Sequence, residues 1–259
     1  MEITSIDRPD NETAAAPKNF VLVHGAWQAP YAWDMVKDRL TAAGFKVSVI
    51  QLPGHGDDQT PHHSLHMETY IKHVAGEIKR MGSPVILVGH SMAGMIISGV
   101  AERIPEHTEK LVYLAAYLPK NGESAYSISL LDKQSLLGAS LIVSEDQVEF
   151  DITKEDVTHI FCQDASDEVK QLVLDHYRPE PGAPFGEPVA LTRQNFGRVA
   201  KYYIQTELDN GIGNNLQKEM ISAYALKGSY SLNSGHSPAL SKPDEVSDIL
   251  RQIAHQQDY

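Results

Sequence analysis

The chain has one cysteine, Cys162, among 259 residues. A single thiol forms no intrachain disulfide, so nothing in the thiol content demands an oxidising compartment. Cys162 reads as a small apolar residue of a loop or helix, not as a nucleophile. Basic residues are scarce: 22 Lys and Arg against 34 Asp and Glu give a formal net charge of −12. Such a chain gains no counterion-release attraction to nucleic acid, and an anionic membrane surface repels it. No apolar run approaches the roughly 20 residues that span a bilayer. Residues 1–18 lack the apolar stretch of a secretory signal and read as a flexible leader. A P-loop is missing, and Gly54-His55-Gly56 is too short for a dinucleotide fingerprint. What remains is an ordinary globular composition, 42% hydrophobic and 22% charged. It suits one cytoplasmic α/β domain with a sizeable core.

Short apolar runs alternate with helical patterns. Phe20–Val23, Lys46–Leu52, Val85–Gly89 and Lys110–Ala116 read as strands. Between them, Trp33, Val36 and Leu40 recur at helical spacing, residues 65–81 are amphipathic, and a helix runs from the third strand to about Ile104. This rhythm predicts a mostly parallel central sheet flanked by helices. It breaks at Pro119. Residues 119–196 are acidic, read as mostly helical, and end in a Pro/Gly-rich stretch. Strand 201–206, a helix near 214–222, strand 223–228 and helix 241–256 then resume the pattern. The expected organisation is a leader (1–18), a core of 19–118 and 197–259, and a cap or lid insertion over 119–196. Such an insertion belongs over the sheet edge where α/β folds bind ligands.

The chemistry concentrates in Gly89-His-Ser-Met-Ala-Gly94, directly between a strand and a helix. A sharp strand-to-helix turn lifts the Oγ of Ser91 above the sheet, and small neighbours relieve the crowding. Ala93 stands where a second glycine is usual, and Gly94 follows. A serine hydroxyl needs a base. His236, in the loop Asn233-Ser-Gly-His-Ser-Pro238 before the last helix, is the candidate. An acid should orient it from a loop after an earlier strand. Asp209 in Asp209-Asn-Gly211 fits, with Glu207 as the alternative. Donors for a developing oxyanion would be the N–H groups of Met92, after the serine, and of Ala26, in the turn that Gly25 permits. Trp27, Trp33, Tyr117 and Tyr126, with Gly25, are candidates to line a substrate pocket or to pack the core or lid. His55, His62, His63, His66 and His73 cluster without a cysteine or an H-E-x-x-H pattern, so they read as a solvated face with no metal.

The stretches FVLVHGAW, AAGFKVSVIQLPGHG, VILVGHSMAGM, KLVYLAAYLP and GHSPALSKPDEV resemble the plant methylesterase and hydroxynitrile lyase branch of the α/β-hydrolases and related bacterial esterases. The likeness runs in order over residues 20–256 and is weakest over 119–196. It implies an eight-strand-type sheet whose first strands are often missing, a helical cap and no cofactor. It also implies Ser91, Asp209 and His236 as the catalytic residues. The lyases of this branch carry Thr at the position of Gly25 and Lys at that of Ser237, where the lysine assists cyanide departure. Both departures favour hydrolysis.

The expectation is therefore a serine carboxylesterase acting on small apolar esters through an acyl-enzyme. Its only required partner is the small-molecule ester, with neither nucleic acid nor membrane; a homodimer stays open. Rival readings are a lyase, a small-molecule receptor that kept the three residues, and an amidase or lactonase, because the same residues do not choose the leaving group. Activity should fall below roughly pH 6–6.5 if the base titrates like an ordinary histidine.

Overall fold

A computed structural model describes residues 18–257. The expected leader lies outside these residues except for Lys18, which pairs with Glu109. The elements run β1 (Asn19–Val23), α1 (Asp34–Ala42), β2 (Lys46–Ile50), α2 (Met67–Met81), β3 (Val85–His90), α3 (Ala93–Arg103) and β4 (Thr108–Leu114). After a long connection come β8 (Ala200–Thr206), α9 (Asn214–Ser222), β9 (Gly228–Leu232), α10 (Pro238–Ser241) and α11 (Pro243–His255). The connection itself holds α4 (Ala125–Ser129), α5 (Leu137–Ser140), β5 (Ile142–Val143), β6 (Glu149–Asp151), α6 (Lys154–Phe161), α7 (Asp167–Asp175), β7 (Glu180–Pro181) and α8 (Ala183–Gly186).

Six strands form one parallel sheet in the order β2-β1-β3-β4-β8-β9. The period-two alternation of a strand sends successive side chains to opposite faces. Along β1, Phe20 and Leu22 join Trp33, Val36 and Leu40 of α1 and its approach, and Leu250 and Ile253 of α11. Val21 and Val23 instead face Ile71, Val74 and Ile78 of α2 and Ile96, Ile97 and Val100 of α3. Both faces are covered, which is why these strands read as continuous apolar runs. Burying each aliphatic side chain of this kind contributes roughly 1.5–3 kcal/mol.

Two expectations need correction. The last strand is 228–232, not 223–228. The apolar Tyr224 and Leu226 pack on the core at the end of α9, and the edge strand is the alternating Gly-Ser-Tyr-Ser-Leu, too polar to register as an apolar run. In the 119–196 connection helices are the main regular structure, but β5, β6 and β7 add an unexpected antiparallel three-stranded sheet, and irregular chain joins them. These strands are two or three residues long, and they form by non-local pairing that no sequence window displays. No described helix is long and apolar enough to cross a membrane.

Candidate active site

Ser91 follows β3 with a positive φ of 56°. A non-glycine residue held there is strained, and such strain persists only where the surroundings over-determine it. Here the Ser91 carbonyl accepts N–H groups from Gly94 and Tyr117, while its own N–H donates to Leu114. The crowding falls on Gly89 and Gly94. A Cβ on Gly89 would lie 2.8 Å from the Ala93 carbonyl oxygen, and one on Gly94 would lie 2.0 Å from that of Tyr117. Position 93 therefore tolerates alanine while position 94 does not.

The loop after β9 brings His236 to this turn, with Nε2 2.9 Å from Ser91 Oγ. Its Nδ1 lies 2.9 Å and 3.0 Å from the two carboxylate oxygens of Asp209. Both side chains are almost fully buried. Asp209 sits just beyond β8 in an Asx turn: its Oδ1 accepts the N–H groups of Gly211 and Ile212, and its Oδ2 accepts from the Thr206 hydroxyl and the Gln217 amide. Both buried carboxylate oxygens are thus supplied with hydrogen bonds. Glu207, the alternative acid, is exposed and accepts from Ser231 instead. Gly211 carries no side chain because a Cβ there would lie 2.9 Å from the His236 ring.

Sequence reasoning missed the supports of this arrangement. The fully buried His90 donates from Nε2 to the His236 carbonyl at 2.7 Å. Burial, and then the neighbouring His236, hold the His90 pKa down at about 3, so the ring stays neutral. The Gln28 amide bridges His90 Nδ1, at 3.1 Å, and Ser237 Oγ, at 2.9 Å. Neighbouring loops thus clamp the His236 backbone. The Gly89-His-Ser motif put His90 next to Ser91, but its partner is 146 residues away in sequence.

Among the described residues, neither the Ala26 nor the Met92 N–H donates to a protein acceptor. Met92 stands at the N-terminus of α3, where first-turn N–H groups lack intrahelical partners and carry partial positive charge. A Cβ on Gly25 would lie 2.8 Å from Ser91 Cβ, so the loop after β1 lies directly against Ser91.

Trp27, Tyr117 and Tyr126 line one cavity of about 690 Å³ together with Leu130, Val143, Phe150 and Phe185 of the connection. Trp27 packs on Phe161, and Phe161 in turn on His236. Trp33 does not belong here. It is buried against α1 and α11 on the opposite face of the sheet, because its helical register with Val36 and Leu40 points it into that core. The histidine cluster is a solvated face only in part: His63 and His66 are exposed, His62 and His73 half-buried and His55 buried. His55 is buried against Glu180, while His62 and His66 pair with Glu149 and Glu187. All three carboxylates come from the connection, so this loop is a docking seam. Among the described residues no group of three or more His, Cys, Asp or Glu could hold a metal ion. Cys162 is buried at the end of α6, and burial pushes its pKa up to about 11.

A parallel, doubly covered sheet with a strained serine at a strand-to-helix turn is the scaffold of the α/β-hydrolases. The profile of the Alpha/beta hydrolase family matches residues 20–249, and the chain belongs to that family. One relative is the "Putative methylesterase 11, chloroplastic" of Arabidopsis thaliana, 32% identical over 91% of this chain; the chain spans 64% of that relative's length. Methyl jasmonate esterase 1 of Vitis vinifera is 27% identical, with 91% of this chain and 96% of the relative covered. The solved structure of polyneuridine aldehyde esterase superposes with a TM-score of 0.82 at 21% identity, covering 92% of this chain and 99% of its own, and shares the fold. The resemblance to the methylesterase branch is matched by these relatives.

Proposed function

We propose that the chain is a carboxylic-ester hydrolase that works through an acyl-enzyme on Ser91. The observation that carries this reading is the continuous line from Asp209 to His236 to Ser91 Oγ, with a contact of 2.9 Å at each step. His236 Nε2 takes the Ser91 proton as Oγ bonds to the ester carbonyl carbon. The carbonyl oxygen becomes an oxyanion, and the N–H groups of Ala26 and Met92 receive it. Asp209 accepts from Nδ1–H, fixes the tautomer and stabilises the imidazolium without taking its proton. Collapse breaks the C–O bond to the alcohol, which leaves with the proton from His236. Water then attacks the acyl group and gives its proton to His236; collapse frees the acid and returns a proton to Ser91.

The residues 119–196 act in this reading as a cap that sets substrate choice. Its apolar cavity beside Trp27 and Tyr117 suits a carboxylic ester with an apolar part. The names of the relatives, a methylesterase and a methyl jasmonate esterase, support ester cleavage. Gly25 argues against cyanohydrin cleavage: the threonine found in the lyases would place its Cβ 2.8 Å from that of Ser91. The test is turnover of p-nitrophenyl acetate. Ser91→Ala should lose about 10⁴-fold or more of kcat while remaining folded. Wild-type turnover by that variant would overturn the mechanism.

A further inference from the structure

Among the described residues two carboxylates are buried, Asp209 and Glu180, and the reaction above uses only the first. Glu180 is fully buried on β7 of the connection. Its Oε2 accepts the Trp27 N–H at 2.7 Å and faces His55 Nε2 at 2.9 Å. His55 Nδ1 faces the Pro53 carbonyl at 3.0 Å. A carbonyl and a carboxylate both accept, so His55 donates from both nitrogens, as an imidazolium. Glu180 is therefore held by an ion pair on the core side and holds a backbone N–H in return. That N–H belongs to a residue under constraint, since Trp27 has a positive φ of 56°.

The peptide on the other side of Ala26 is also pinned. His24, fully buried, accepts the Leu52 N–H at Nε2, so its proton is on Nδ1, which donates to the Gly25 carbonyl at 2.9 Å. A trans peptide points its C=O and N–H in opposite directions. Drawing the Gly25 carbonyl back onto His24 turns the Ala26 N–H the other way, and Gly25 lies against Ser91. The two peptides that flank Ala26 are thus fixed by two buried side chains, one from the core and one from the connection.

Resting on the esterase reading above, we propose that Glu180 is a positioning residue: through the Trp27 N–H it aims the Ala26 N–H at the oxyanion, so the connection completes the reacting centre as well as covering it. The connection then cannot lift away from the β1 loop without loosening an oxyanion donor. Donor geometry matters more to the transition state than to ground-state binding.

The experiment compares the full-length wild type with Glu180→Leu, Glu180→Asp and Glu180→Gln. The readouts are kcat and KM for p-nitrophenyl acetate, corrected by active-site titration, and the Ki of a trifluoromethyl ketone that adds to Ser91 as an oxyanion. Glu180→Leu should lower kcat about 10- to 100-fold with KM within about threefold, and weaken the ketone by a similar factor as kcat. Glu180→Gln keeps a carbonyl oxygen at the place of Oε2, where it can accept both the Trp27 N–H and a His55 Nε2–H, so kcat should stay within about threefold of wild type. If Glu180→Leu does not fold, Glu180→Asp, whose acceptor is drawn back by one methylene, carries the same expected loss. A kcat per active site within twofold of wild type in the folded Leu or Asp variant would overturn the proposal. So would a Gln variant as impaired as either of them. An active wild type beside an indifferent Glu180→Leu sinks the positioning role alone, whereas a wild type that neither cleaves the ester nor binds the ketone sinks the esterase reading with it.

Discussion

The two halves of this molecule are built on different principles. The sheet and its helices, residues 19–118 and 197–257, rest on apolar periodicity, with Phe20, Val21, Leu22 and Val23 sorting alternately into two cores. The 119–196 connection also buries apolar side chains, Ile128, Val157, Ile160 and Phe161 among them, but it is built of shorter pieces and adds polar ties. Glu149, Glu180 and Glu187 meet His62, His55 and His66, and Asp132 accepts the Gly213 N–H beside Asp209. Its surface differs as well. Of the seven large hydrophobic side chains exposed among the described residues, six lie between Tyr126 and Val143, and Tyr126, Leu130 and Val143 line the cavity. Substitutions in the core site should therefore abolish chemistry, and substitutions in the connection should retune substrate choice, Glu180 excepted.

Asp209→Asn gives the largest expected contrast. The amide cannot hold His236 in the tautomer that accepts from Ser91, and kcat should drop about 10⁴-fold with the fold retained. A loss under about tenfold would put the acid elsewhere. Gly25→Thr comes next. A Cβ at 2.8 Å from that of Ser91 must push the loop after β1 or the Ser91 turn aside, and displacement of this order costs about 100-fold in kcat. Cyanohydrin cleavage by the wild type, which carries Gly25, would contradict the assignment to hydrolysis.

Stability against pH separates the two regions by sign. His24 and His90 in the core site are held neutral: burial, and then neighbouring histidines, lower their pKa values. Below about pH 6.5 the unfolded chain takes up protons that these rings refuse, so stability falls as pH drops, by up to about 1.4 kcal/mol per unit per group. His55 at the seam runs the other way. Burial and Arg178 pull its pKa down, but the Glu180 carboxylate outweighs them and the net direction is up, with His24 and Tyr70 packed against its ring. Its contribution is fully present below about pH 6.5 and is lost as pH rises through the folded value. The Tm gap between wild type and Glu180→Gln should thus narrow above neutrality; a gap that widens would reverse the assignment. The smallest effects belong to the rim: Leu130→Ala or Tyr126→Ala should alter KM by a few-fold for esters with long apolar chains and leave p-nitrophenyl acetate nearly unchanged.

The same contrast explains what the sequence made legible. Strands buried on both faces announce themselves as apolar runs, and the Gly-His-Ser turn is a local event, so the sheet and Ser91 could be read directly. His236 and Asp209 could be placed because strand order carries their loops to one edge. Where contacts join distant segments, the signal vanished: Glu180 lies in a Pro/Gly-rich stretch 125 residues from His55, and the edge strand Gly228–Leu232 is too polar to stand out. Trp33 was ambiguous because an aromatic near a motif packs a core as readily as it lines a pocket.

The most direct measurement is rapid-quench mass spectrometry of the wild type reacting with p-nitrophenyl acetate. An acetyl group should appear on Ser91 alone with the burst of p-nitrophenol, persist during turnover and, once substrate is spent, decay with a rate constant matching kcat. Turnover with no adduct, or an adduct on any other side chain, would contradict the acyl-enzyme mechanism.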